Sequence, residues 1–318
     1  MNSKNDWIRD YLGVTAWHKA GYTGSRGLTL SSEDYVNATA QSHPSKTYQA
    51  FREIAPDRPV LYCNLRNVDN IAECSADSMY VSIEYATNDK PWRQAIDSKH
   101  GKRPSIFVSA GNHRGEKENK AMLAQNVYGV GAVRLNASEM SKGVPVPGAV
   151  INIRATNYSA PSPYVDFAGV TDLYFDDDRT FGGTSCACPM LCGMAALVND
   201  FFIANTGQAL SRDAMYQFFK DHAHPQYGGI MGTRDNEVGW GLPFLPSPET
   251  IDIKRYTQMD KYRDDADIHP VHKDDVYRAR ELGIMNGMGD KFNPVSPLTR
   301  EQAASIMVRL YDLIKGEK

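Results

Sequence analysis

With 318 residues the chain is long enough for one large domain and a small one. Hydrophobic residues make up 42% and charged residues 23%, an ordinary globular balance, and a formal net charge of −3 with no Lys/Arg cluster argues against a nucleic-acid partner. The longest clean apolar run, residues 190–198, is far too short to span a bilayer, and residues 1–6 lack the apolar core of a secretory signal. No membrane partner is therefore expected, and synthesis in the cytoplasm is.

From about residue 6 to residue 246, apolar runs bounded by turns alternate with helical patterns. Strands are predicted at 28–32, 60–64, 79–83, 105–109 and 127–133, and helices at 46–54, 92–99, 189–202 and 212–222. This alternation predicts an α/β fold, a mostly parallel sheet with helices on both faces. After Leu245 the composition changes: Pro246-Ser247-Pro248 opens a charged stretch with few apolar positions. The expected organisation is a main domain over 1–246, a linker over 247–267 and a small helical module over 268–318. In that module 274–282 reads as a helix ended by Gly283-Ile284-Met285-Asn286-Gly287. A loop over 290–297 then leads to a second helix over 298–314, with Thr299 as N-cap and Gln302 at the reciprocal capping-box position.

The most informative string is Gly182-Gly183-Thr184-Ser185-Cys186-Ala187-Cys188-Pro189, followed by Met190-Leu191-Cys192-Gly193. It sets a serine at the end of a glycine turn, where a helix beginning nearby would offer free N–H groups and a positive dipole end to developing negative charge. Pro189 is expected in the first helical turn. The string closely resembles the nucleophile motif of the subtilisin-like serine proteases, Gly-Thr-Ser-x-Ala-x-Pro-x-x-x-Gly, at every fixed position. The resemblance implies a three-layer α/β fold with Ser185 as nucleophile, needing a histidine base and a carboxylate upstream.

His43 is the expected base, because Ser42-His43-Pro44 leads through a helical pattern to Ile54-Ala55-Pro56-Asp57, resembling the family's layout of histidine, helix and Ala-Pro-Asp turn. The family's acid ends a strand entered through a segment like Gly21-Tyr22-Thr23-Gly24-Ser25. Alternation along that strand puts Asp34 on the face of Leu28, Leu30 and Ser32, and Glu33 on the other. Asp34 is therefore the expected acid, with Glu33 the alternative. Ser105-Ile106-Phe107-Val108-Ser109-Ala110-Gly111-Asn112 resembles the family's buried strand ending in Ala-Gly-Asn, which makes Asn112 the implied oxyanion donor. Tyr128-Gly129-Val130-Gly131-Ala132-Val133, Val165-Asp166-Phe167-Ala168-Gly169 and Val238-Gly239-Trp240-Gly241 extend the resemblance in order across 6–246.

The resemblance also implies a polypeptide substrate lying as an added strand along Ser82, Glu84, Ser109 and Gly111. Glu84 stands where the family carries glycine, which suggests a narrowed cleft favouring basic side chains; a rim residue turned to water is the alternative. No acidic loop interrupts residues 43–55, so no cofactor is implied, and calcium has no clear site in this sequence. Five cysteines are present, three of them near Ser185. Cys188 and Cys192 fall on a predicted buried face, which reads as packing in a reducing compartment in preference to metal ligation.

Residues 274–314 resemble an S-layer homology domain, with Leu298-Thr299-Arg300-Glu301-Gln302 at its signature position. Such a module implies anionic secondary cell-wall polysaccharide as a partner, Arg300 as a contact, and a cell-surface or extracellular location beside the cytoplasmic one; a plain helix–loop–helix cap is the alternative. The reading is a serine endopeptidase working through an acyl-enzyme. Its rival is a catalytically silent subtilase fold used for binding or assembly on a cell wall or phage particle.

Overall fold

The computed structural model describes residues 1–63, 76–82, 104–114, 119–124, 127–176, 179–257, 262–281, 283–288 and 291–315. The predicted helix 92–99, Cys74 and Glu84 lie outside the described residues. Among the described residues, a seven-stranded sheet is built from β1 (Thr29–Ser31), β2 (Val60–Tyr62), β3 (Ser78–Val81), β4 (Ser105–Ser109) and β5 (Val127–Ala137), with two further strands beyond β5. A short hairpin of β6 (Met140–Ser141) and β7 (Val144–Pro145) leads to β8 (Ile151–Ala155), and β9 (Val165–Val170) follows. The order is β2-β1-β3-β4-β5-β8, with β9 also paired to β5. Every pair is parallel except β5 with β8.

Each strand of β3 and β4 divides its side chains between two cores. Met79, Val81, Ile106 and Val108 point into one cluster, Tyr80 and Phe107 into the other, as the two-residue period requires. Both strands are buried along their whole length, which is why they read as near-continuous apolar runs. The larger cluster is covered by α1 (Asp6–Tyr11), α2 (Val14–Lys19), α3 (His43–Arg52), α4 (Thr184–Thr206) and α5 (Arg212–Asp221).

Helix α4 runs through the middle of that layer. It is long and apolar enough to cross a membrane by composition, yet 94% of its apolar window is buried inside this fold. Small residues let it approach the sheet: a Cβ on Gly169 of β9 would stand 2.1 Å from the Ala187 carbonyl oxygen. The helix begins five residues before the predicted start at 189, so Pro189 lies inside it and not in its first turn. The proline thereby removes the N–H that would otherwise bond to the Ser185 carbonyl.

Beyond the sheet, the Trp17 indole donates to the Pro246 carbonyl at 2.7 Å, closing the chain back on its first helices. In α6 (Ile253–Thr257), Tyr256 packs against Phe202 and Phe218 and bonds to Asp221 at 3.0 Å. A separate small cluster joins Tyr262, Ile268 and Val276 of α7 (Lys273–Glu281), with Tyr277 and Phe292 against it. Tyr262 belongs to the stretch expected to be linker. The polar residues beside it are ligands of the fold: Asp264 accepts from the backbone N–H groups of Phe292 and Asn293, and Asp265 pairs with Lys273 and Tyr277. Helix α8 (Arg300–Lys315) opens with the predicted capping box, Thr299 N–H to Gln302 Oε1 at 3.0 Å and Gln302 N–H to Thr299 Oγ1 at 3.2 Å.

Candidate active site

Ser185 is the second residue of α4, so its own N–H is among those at the helix start that have no helical acceptor. The turn before it depends on Gly183, the N-cap, at φ +87° and ψ 168°, a conformation open essentially to glycine alone. A Cβ there would also meet Asn112, 3.2 Å from Nδ2 and 3.3 Å from Oδ1. The Ser185 hydroxyl donates to the Ser82 carbonyl at 3.1 Å, and no hydrogen bond joins it to His43.

His43 opens α3, whose N-cap is Ser42 and whose first turn accommodates Pro44. Its Nδ1 stands 2.7 Å from Glu33 Oε1. Thr47, one turn further along α3, donates to the Pro44 carbonyl at 2.9 Å and stands 3.3 Å from Glu33 Oε2, so the helix that carries His43 also borders its carboxylate partner. The Phe181 ring lies edge-on to the imidazole at 5.7 Å between centroids.

Of the two carboxylates weighed, Glu33 is the one this geometry sets against His43, and the expected acid, Asp34, is not. Alternation would favour Asp34 only if the strand ran on to it, but β1 ends at Ser31. The Ser31 hydroxyl accepts from the Glu33 N–H at 3.2 Å and donates to the Glu33 carbonyl at 3.0 Å, forming a local turn that competes with the ladder. That turn brings Glu33 inward, 8% exposed, beside His43. Asp34 instead faces its own loop, accepting from the Val36 and Asn37 backbone and from the Asn37 amide at 2.9 Å. The Asn37 amide holds the Asp34 carboxyl below its ordinary value.

Asn112 lies three residues beyond the end of β4, and its amide orientation is set by Thr184. The Thr184 N–H can only donate, so the Asn112 atom 2.9 Å away is the oxygen; Thr184 Oγ1 donates to the same atom at 3.1 Å. Thr184 Oγ1 in turn accepts from Gly111 N–H at 3.2 Å. Nδ2 is thereby turned to the other side, beside the Gly183 turn at the start of α4.

The remaining expected site residues divide. Ser82 meets Ser185 through its carbonyl. Ser109 is buried and its carbonyl accepts from Asn119 Nδ2 at 2.8 Å, while the Gly111 carbonyl accepts from Ala160 N–H at 3.0 Å. Both support the Asn112 loop from behind. Arg300 is the exposed first residue of α8, in a part of the chain remote in sequence from Ser185. Cys188 packs its sulfur against the carbonyls of Val81 and Phe107, and burial pushes the thiols of Cys186 and Cys188 up to about 12. These are core residues, as their free cysteine state and complete burial require.

Comparison with known families agrees with this architecture. The profile of the subtilase family matches residues 66–241, more than half of the chain, and that of the S-layer homology domain matches residues 261–304. The chain belongs to the subtilase family and carries a C-terminal S-layer homology domain. The subtilase match contains Asn112 and Ser185 but begins after Glu33 and His43. Solved structures of the same fold include MycP1 with its N-terminal propeptide removed, 18% identical, covering 77% of this chain and 98% of that one at a TM-score of 0.53. The prenylagaramide maturation protease PagA is 14% identical over 73% of this chain and 95% of its own, with a TM-score of 0.54. A lanthipeptide protease, 14% identical, covers 74% and 93% at 0.50. No curated protein matches the chain.

Proposed function

We propose that this protein is a serine endopeptidase in which Ser185 attacks a polypeptide carbonyl, His43 takes its proton and Glu33 orients and stabilises the imidazole. The observation that carries the reading is the buried Glu33 carboxylate at 2.7 Å from His43 Nδ1. By accepting the Nδ1 proton, it leaves Nε2 free to act as base, and it favours the imidazolium that forms on attack. The Asn112 amide and the Ser185 N–H would receive the oxyanion, after which the acyl-enzyme is hydrolysed with His43 returning its proton. The bond from Ser185 to the Ser82 carbonyl is in this reading the resting contact, exchanged for one to Nε2 as substrate enters. The S-layer homology domain supports attachment to anionic cell-wall polysaccharide through Arg300, and so action at the cell surface.

That same resting contact favours the second reading, a silent subtilase fold used for binding. The two separate on one experiment. A denatured protein substrate is incubated with wild type and with Ser185→Ala, and the products are read by mass spectrometry. The peptidase reading expects new termini with wild type only; identical products from both, or none from a folded wild type, contradict it.

A further inference from the structure

Gly183 carries the turn that delivers Ser185, and both of its backbone polar groups are held by side chains from other segments. Its N–H donates to the Tyr158 hydroxyl at 3.0 Å, and its carbonyl accepts from Thr171 Oγ1 at 3.1 Å. The two hydroxyl oxygens are themselves 3.1 Å apart. Counting hydrogens settles every direction. Thr171 has one hydroxyl hydrogen and the carbonyl can only accept, so that hydrogen goes to Gly183; the Tyr158 hydrogen must then go to Thr171 Oγ1. The result is a closed ring, Gly183 N–H to Tyr158, Tyr158 to Thr171, and Thr171 back to the Gly183 carbonyl, with every donor used.

The ring is anchored to the sheet. Thr171 is buried, and its backbone N–H donates to the Val133 carbonyl of β5 at 3.0 Å. The Arg134 guanidinium lies over the Tyr158 ring, 5.8 Å from its centroid, and is paired with Asp172 next to Thr171. The Gly183 carbonyl is also the first acceptor of α4, taking the Cys186 N–H at 3.0 Å.

We infer that Tyr158 and Thr171 are positioning residues that lock the Ser185 turn and the oxyanion site as one unit, an inference that rests on the peptidase reading above. Gly182 and Gly183 restrict their own backbone least, so the conformation of this turn depends on the contacts that hold it. The bond from Thr171 fixes the peptide plane between Gly183 and Thr184. The N–H of that same plane donates to Asn112 Oδ1 at 2.9 Å and so sets the direction of Nδ2. Opening the ring lets this plane turn, and nucleophile and oxyanion donor lose their alignment together.

The test is the second-order rate of fluorophosphonate labelling at Ser185 for wild type, Tyr158→Phe, Thr171→Val, Thr171→Ser and the double variant Tyr158→Phe/Thr171→Val, with thermal unfolding measured beside it. Each of the two single variants that break the ring is expected to label roughly tenfold more slowly, since each removes a side-chain hydrogen bond that holds a polar group of Gly183. Thr171→Ser retains the hydroxyl and is expected to keep the wild-type rate. The double variant is expected to be no slower than about the slower single one, because either change already opens the ring. Tyr158→Phe labelling at the wild-type rate, Thr171→Ser falling as far as Thr171→Val, or singles that multiply in the double variant would each overturn the inference. A wild type that labels while every variant matches it sinks only the positioning role; a folded wild type that never labels removes the peptidase reading and this inference with it.

Discussion

Replacing Glu33 by glutamine removes one charge from the site while leaving its shape. In the native protein that charge faces the His43 imidazole, 2.7 Å from Nδ1 to Oε1, which in the proposed mechanism becomes cationic during attack. For a charge pair about 4 Å apart at an effective dielectric near 20, the stabilisation is about 4 kcal/mol, or roughly 10³ in rate. His43 keeps 41% of its side chain exposed, so solvent screening makes this a ceiling for the Coulomb part alone. The amide adds a second effect. If its NH2 group faces Nδ1, the imidazole proton moves to Nε2 and the ring cannot act as base. Together these predict a fall of roughly 10²–10⁴ in the rate of fluorophosphonate labelling at pH 7, with the unfolding midpoint little changed. Asp34→Asn, made in parallel, is expected to keep the wild-type rate, because Asp34 binds only its own loop. If Asp34→Asn is the slower of the two, the assignment of Glu33 as the partner of His43 is wrong.

Asn112→Ala is expected to lower kcat by roughly 10²–10³ with KM nearly unchanged, and a loss carried mainly in KM would argue against an oxyanion role. Asp166 offers a pH test of stability, since burial raises its carboxyl to about 6 against the opposing Gly129 N–H and Arg234. The folded state then keeps a proton that the unfolded chain has already lost, so this group's stabilising contribution is full below pH 3.8 and declines as pH rises toward 6, by roughly 3 kcal/mol at most. Denaturant titrations should accordingly show Asp166→Asn gaining on wild type between pH 4 and 7; a constant gap contradicts the shift. Gly169→Ala should cost about 1–3 kcal/mol, because its Cβ would meet the Ala187 carbonyl of α4 at 2.1 Å, and an unchanged unfolding midpoint would show that the helix can back away freely. The thiols of Cys186, Cys188 and Cys192 should resist alkylation in the native protein and react on unfolding, as peptide-resolved mass spectrometry can establish.

The sheet was legible because its central strands β3 and β4 are buried along their whole length: 105–109 is recovered at its predicted bounds, 28–32 contracts to 29–31, 60–64 is strand over 60–62, and 79–83 becomes 78–81 within what is described. The first helices, α1 and α2, were not read, since six residues with two buried positions each carry too little periodicity. Motif and order singled out Ser185, Asn112 and His43, which the fold sets at the start of α4, beside Thr184 and against Glu33 respectively. Parity pointed to Asp34, whereas the carboxylate beside His43 is that of Glu33, and the reason for the difference is physical. Strand parity holds only within a strand, and the Ser31 hydroxyl ends β1 three residues before Asp34. The oddly polar Ser31-Ser32-Glu33 was the available signal for such a turn. Tyr158 and Thr171 left no trace, because their contacts join segments distant in sequence through single hydroxyl groups, whereas Thr184 stood in the Gly-Thr-Ser string.

The central claim is that Ser185 is a nucleophile made reactive by His43, and labelling with a fluorophosphonate probe tests it most directly. Wild type should be labelled at Ser185, with Ser185→Ala unlabelled and His43→Ala slowed to near background while both variants unfold at temperatures close to wild type. Labelling that survives in His43→Ala at the wild-type rate, or a folded wild type that takes no label, would contradict the account.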